Sequence, residues 1–161
     1  MLNGSVSVTA ADVETSNGVI HVIDGVLTPT SVVDIAINNS NFSKLVEAVV
    51  KAELVETLSA EGPFTIFAPT DEAFAKLFAD LGVNGIEDIA AEALVPILQY
   101  HMVAGNVLSS ELSNGDVPTL NGNIKISLSE MVTINDDSEV SAVDIQGTNG
   151  VIHVIDKVLL P

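Results

Sequence analysis

Three histidines and two acidic clusters are the side chains of this 161-residue sequence whose type and spacing bear on chemistry. Cysteine is absent, which excludes thiolate catalysis and disulfides alike and leaves the redox compartment open. There is no Gly-x-Ser-x-Gly elbow to activate a serine, no His-x-x-x-His pair and no calcium-loop spacing. No glycine-rich phosphate loop follows a strand pattern. Asp136-Asp137-x-Glu139 is the best candidate for a cation, yet it lacks the other ligands of a recognised loop and reads as a solvated turn. Asp71-Glu72 follows an apolar run and could be taken for a catalytic or metal-binding pair. Placement in the first turn of a helix, where carboxylates favour the positive end of the dipole, accounts for both acids. His101 stands at a helix end, where local hydrogen bonding competes with a binding role. The sequence therefore predicts no catalytic residues, no metal and no cofactor.

His21 and His153 are copies of each other. Asn17-Gly18-Val19-Ile20-His21-Val22-Ile23-Asp24 recurs unchanged as residues 149–156, and at an offset of 132 positions 5–29 and 137–161 share 14 of 25 residues. An identical run of this length is an internal repeat. A domain-sized stretch precedes only the second copy. The expectation is that residues 1–29 are the C-terminal strand remnant of a preceding module, with residues 30–161 a complete one, so that the chain is cut from a tandem array.

Composition sets the frame around these residues. The length supports one domain with a proper core. Apolar residues make up 47% and aromatics 4%. No apolar run approaches the length of a membrane helix, and the first residues lack a signal-peptide pattern. Twenty-two acids stand against five lysines and no arginine, a formal charge of −17. Such a surface repels nucleic acid and anionic membranes, and suits a solubilising role or saline surroundings.

The elements that position the candidates follow from periodicity. Ser31 is placed to cap a short helix through Ala36, and Asn38–Asn41 makes a turn. Phe42, Leu45, Val46, Val49 and Val50 form one helical face, extended through Leu54, Val55 and Leu58 and stopped at Gly62-Pro63. Residues 64–68 read as a buried strand ended by Pro69, after which Thr70 caps a helix with Phe74, Leu77, Phe78 and Leu81 on its apolar face and Gly82 as its stop. Ile86 to Val103 reads as helical, with Pro96 in a first turn and Tyr100-His101 at the close. Beyond Leu108 alternation takes over. Asn114-Gly115 and Asn121-Gly122 are turn signals, Ile124, Ile126 and Leu128 alternate with polar residues, and Val132–Ile134 is a further strand. Residues 135–139 make an acidic turn, and residues 151–155, apolar on both faces, read as a central strand. Helices first and strands later predict an α+β fold.

Three segments resemble the fasciclin domain, an extracellular adhesion module. Thr65-Ile66-Phe67-Ala68-Pro69-Thr70-Asp71-Glu72-Ala73-Phe74 resembles its first signature segment, Tyr100-His101 its midway pair, and Asn149 through Leu159 its second segment. The likeness covers residues 30–161, and the N-terminal copy resembles the second segment alone. It implies a twisted, mainly antiparallel β-wedge or sandwich flanked by packed helices. It also implies a structural signature at Thr65, Phe67, Pro69, Thr70, Asp71, Phe74, His153 and Asp156. The function implied is non-catalytic cell adhesion or surface interaction in an extracellular, cell-surface or periplasmic setting. The partner would be a cell-surface or matrix protein or a polysaccharide, with membrane contact only through an anchor on the parent protein. In animal members, positions corresponding to Tyr100, His101, Asp144 and Ile145 have been proposed to engage integrins. The residues themselves read otherwise, Ile145 as a strand-end core residue and Tyr100-His101 as a helix-end clamp. The acidic, arginine-free composition looks microbial, and marine or halophilic.

The alternative is a small-ligand or polysaccharide-binding domain with a groove beside His101. Residues 17–28 are too apolar to remain an exposed edge. They are expected to pair along the domain's own sheet or to exchange between copies of an otherwise monomeric chain.

Overall fold

A computed structural model describes residues 7–24, 30–128 and 131–161. Val26 and Leu27, expected in the apolar tail, lie outside the described residues. The folded body runs from α1 (Val32–Ile37), α2 (Ser43–Lys51) and α3 (Val55–Ser59) through β3 (Phe64–Pro69) and α4 (Asp71–Leu81) to α5 (Ala91–Tyr100). Strands β4 (Met102–Ala104), β5 (Gly115–Thr119), β6 (Gly122–Leu128), β7 (Val132–Ile134), β8 (Ser138–Gly147) and β9 (Gly150–Ile155) complete it. Before the body lie β1 (Val8–Thr15) and β2 (Gly18–Ile23).

Local chemistry explains the helix boundaries. Ser31 and Asp34 form a reciprocal capping box at α1. Thr70 accepts from the Ala73 amide to start α4, and Gly82, at φ 68°, stops it in the left-handed region that glycine adopts without cost. The long apolar stripe predicted from Phe42 to Leu58 divides into α2 and α3 at Ala52–Leu54, where Glu53 takes φ 56°.

The structure departs from expectation at both ends of the span 86–103. The helix expected over Ile86–Val103 begins only at Ala91, after a separate turn at Ile86–Asp88, so Pro96 falls inside the helix and not in its first turn. Its missing N–H costs one intrahelical bond there. The same helix closes at Tyr100 with His101 as its cap, as expected, but Met102–Val103, inside the span read as helical, belongs to a strand that pairs with β3 and covers its edge.

Seven strands form one sheet in the order β4-β3-β9-β8-β7-β6-β5. All its pairs are antiparallel except β3 with β9, which run parallel with Phe64 opposite Gly150 and Pro69 opposite Ile155. Strand β9 lies between β3 and β8 and is buried at every position, the central strand that its two-sided apolar pattern predicts. Alternation along these strands separates two cores. Ile66, Ala68, Ile152 and Val154 pack with the helices, while Phe67 and Ile155 pack with Ile124, Ile126 and Ile134 from the antiparallel half. The result is the expected α+β fold, a sheet-rich wedge with helices. None of the helices of the described residues is long and apolar enough to cross a membrane.

The N-terminal segment does not pair along the body's sheet. β1 and β2 form a separate antiparallel hairpin whose residues 8–22 are all exposed. Satisfying its backbone locally is open to a hairpin, whereas burying its apolar faces requires a second surface.

Candidate functional site

The fasciclin-like positions converge on the β3–β9 pair and the helix end beside it. α5 hands the chain to β4 at Tyr100-His101, and the His101 carbonyl accepts the Phe67 amide of β3 at 2.9 Å. His101 is 2% exposed and Tyr100 8%. The His101 ring is held at both nitrogens: Nδ1 lies 2.8 Å from the Ile97 carbonyl, and Nε2 accepts the Leu159 amide at 2.9 Å. Accepting at Nε2 assigns the proton to Nδ1, so the imidazole is neutral. Burial pushes its pKa down from 6.5 to about 4, partly countered by the bond to Ile97. Tyr100 donates its hydroxyl to the Asn123 carbonyl at 2.8 Å and accepts from Asn135 at 3.2 Å, tying the helix end to the β6 hairpin.

Asp144 and Ile145 lie on β8, where a register shift between Ala142 and Ile145 places Asp144 at φ 58°. That bulge aims the Asp144 amide at His153 Nδ1, 3.4 Å away, while His153 Nε2 bonds the Val107 carbonyl at 2.9 Å. His153 is fully buried and stacks on Phe67 with ring centroids 5.5 Å apart. The Asp144 carboxylate accepts both the amide and the hydroxyl of Ser109, the amide at 2.7 Å. The Ser109 hydroxyl bond foremost, then the amide bond, holds the Asp144 carboxyl below the usual carboxylate range. Ile145 is half-buried against the helical core.

Of the four positions carried as partner-binding, only Asp144 is exposed, and the structure does not bring the four together as one exposed patch. The signature residues have internal work. Thr65 Oγ1 donates to the Gly105 carbonyl at 2.8 Å and accepts the Val107 amide at 2.9 Å. Asp71 accepts the Lys44 amide at 2.7 Å and the Ser43 hydroxyl, joining α4 to α2. Asp156 accepts the Glu139 amide at 2.8 Å and lies 3.4 Å from Lys76 Nζ. Phe67 and Phe74 are core, and Pro69 closes β3.

Asn149, whose residue type alone carries no functional signal, is a central clamp. Its amide donates to the Leu58 and Ala60 carbonyls at 2.9 and 3.1 Å and accepts the Val32 amide at 3.0 Å. Membership of the repeated run was the available signal. The acidic turn is spoken for: Asp136 pairs with Lys125 at 2.8 Å and Asp137 with Lys157. Among the described residues no cluster of three or more His, Asp or Glu is arranged to hold a metal, and no buried side-chain nitrogen or oxygen lacks a partner. A cavity of about 110 Å³ lies between the helices and β3, lined by aliphatic side chains including Val33, Ile37, Val46 and Val50, together with Met102 and His101.

The fasciclin domain model matches residues 1–29 and 40–161. Protein sll1483 of Synechocystis is 44% identical over 134 residues, covering 81% of this chain and 73% of that protein. Human periostin is 38% identical over 170 residues, covering 99% of this chain but 20% of periostin. Among solved structures, a FAS1 domain pair from the insect cell adhesion molecule fasciclin I superposes with a TM-score of 0.74 at 24% identity, covering 99% of this chain and 61% of that one, a likeness of fold.

Proposed function

The chain belongs to the fasciclin domain family, and on that premise we propose that it is a non-catalytic adhesion or surface-interaction module in an extracellular, cell-surface or periplasmic setting. It acts as one member of a tandem array, with residues 30–161 as its own module and residues 1–29 belonging with a neighbour. Its partner is a cell-surface or matrix protein or a polysaccharide. The observation that carries this reading is the internal engagement of the signature. Both buried histidines have both ring nitrogens bonded within the fold, and Thr65, Asp71, Asn149 and Asp156 are spent on joining elements. Groups so engaged position the scaffold and leave recognition to the exposed surface, to which Asp144 on its β8 bulge belongs. The fold likeness to an insect cell adhesion molecule supports the same reading.

The experiment is attachment of cells, Synechocystis among them, to a surface coated with the chain. Retention several-fold above an albumin-coated surface is expected, and retention no better than albumin across bacterial, animal and matrix-coated targets would sink the proposal.

One observation favours a second reading. The cavity beside His101 is aliphatic, so it suits a small hydrocarbon and offers sugar hydroxyls no partners. A thermal-shift screen of small apolar molecules separates this reading from adhesion, because a stabilising ligand would act without any cells.

A further inference from the structure

The exposed N-terminal hairpin reproduces the buried β8–β9 hairpin in detail. Its cross-strand partners are Val8↔Ile23, Ala10↔Val22, Val13↔Ile20, Glu14↔Val19 and Thr15↔Gly18, each equal to a β8–β9 pair after adding 132, with both register shifts in the same places. Asp12 sits at φ 54° where Asp144 sits at 58°. The Asp12 amide donates to His21 Nδ1 at 3.2 Å, as Asp144 does to His153 at 3.4 Å. Asp24 accepts the Ser7 amide at 2.7 Å, as Asp156 accepts Glu139 at 2.8 Å. The hairpin is thus preformed, yet its surroundings are missing.

Three of its features make sense only against a second body. Gly150 is required in β9, because a Cβ there would stand 2.1 Å from the Phe64 carbonyl oxygen of β3. Gly18 keeps the glycine although a Cβ would meet nothing within 4 Å. Asn17 and His21 are exposed, whereas their counterparts Asn149 and His153 clamp α3, α1 and the Val107 loop. Val19, Ile20 and Val22, between 46% and 55% exposed, correspond to the fully buried edge that meets β3.

One residue does not fit this chain's own slot. Thr15 replaces Gly147, where a Cβ would stand 2.7 Å from the Val32 nitrogen and 3.0 Å from the Ser31 carbonyl carbon. Those are backbone atoms at the start of α1 and cannot swing aside. Chain reach argues the same way. Six Cα steps from Asp24 to Thr30 span at most about 21 Å. The slot from Asp156 back to Gly150 already runs about 20 Å, and Thr30 lies beyond it, bonded to the Thr148 amide at 2.8 Å.

We propose that the hairpin Val8–Ile23 is a docking element that completes the sheet of a second fasciclin body, with β2 lying parallel to that body's counterpart of β3. Thr15 excludes it from a body like this one and selects one whose α1 backbone stands back. This rests on the tandem-array reading above and gives residues 8–23 a place in the neighbouring module's own sheet.

The test uses the full chain and does not involve cells, so its failure would leave the adhesion reading standing. Gly150→Val should expel β9 and lower Tm by about 10 °C or more. Adding Thr15→Gly should let the hairpin of one molecule fill the slot of another. At least half the lost Tm should then return, the amides of residues 19–23 should become protected from exchange, and the mass should at least double. Adding Gly18→Val should cancel that recovery, while Gly18→Val alone leaves Tm unchanged. The proposal is overturned if Gly150→Val keeps the parental Tm, if Thr15→Gly brings no recovery, or if recovery survives Gly18→Val.

Discussion

At neutral pH the His101 ring must stay uncharged, because the Leu159 amide occupies the nitrogen that a second proton would take. Its pKa in the fold, about 4, lies below the ordinary 6.5, so between these values the unfolded chain binds the additional proton. Stability from this residue is therefore complete above pH 6.5 and falls as pH drops toward 4, by roughly 3 kcal/mol in all. In urea denaturation, the stability change between pH 7 and pH 4.5 should move by most of that amount when His101 is replaced by glutamine, and an unchanged difference would mean the ring is not held neutral. Asn149→Ala should cost about 2–3 kcal/mol, since it strands the Val32 amide and two carbonyls at once. Its unfolding midpoint checks this. At this scale the sequence was informative where bonds are local: Ser31 with Asp34 and Thr70 with Ala73 are capping pairs legible from spacing alone. Leu159 lies 58 residues from His101 and Leu58 lies 91 from Asn149, and only folding brings these pairs together.

Two hairpins with eight identical residues in different surroundings separate what strand sequence contributes from what packing contributes. Amides of residues 19–23 should exchange orders of magnitude faster than those of 151–155, because only the latter are shut between β3 and β8. Hydrogen-exchange mass spectrometry on the two segments reads this directly, and equal protection would show that the N-terminal hairpin is covered in solution. The strands themselves were legible from alternation and from the two-sided apolar character of residues 151–155. The start of α5 was not, since Ile86–Asp88 continues the helical period but forms a separate turn. Nor was the strand character of Met102–Val103, which comes from the open edge of β3 and not from any local preference.

For the molecule as a whole, charge dominates. All five lysines are engaged, Lys44 with Glu47, Lys76 with Asp156, Lys125 with Asp136, Lys157 with Asp137, and Lys51 with the Ile86 and Glu87 carbonyls. What remains is a surface with a formal charge of −17 whose self-repulsion opposes compactness. Screening should relieve it, so raising sodium chloride from about 20 mM to 500 mM should raise Tm by a few degrees. A lower Tm in salt would mean that the lysine pairs outweigh the repulsion. The fold class and the central place of residues 151–155 were legible at this scale from pattern and repeat. The separation of the N-terminal hairpin from the body's sheet was not, because its sequence is that of a buried strand. The claim that recognition belongs to the exposed surface of the module is tested most directly by cell attachment to the immobilised chain, titrated with soluble chain as competitor. Saturable attachment is expected, abolished by soluble chain and persisting when Asn149→Ala protein is used below its melting temperature. Attachment that soluble chain fails to compete, or none above albumin, would contradict it.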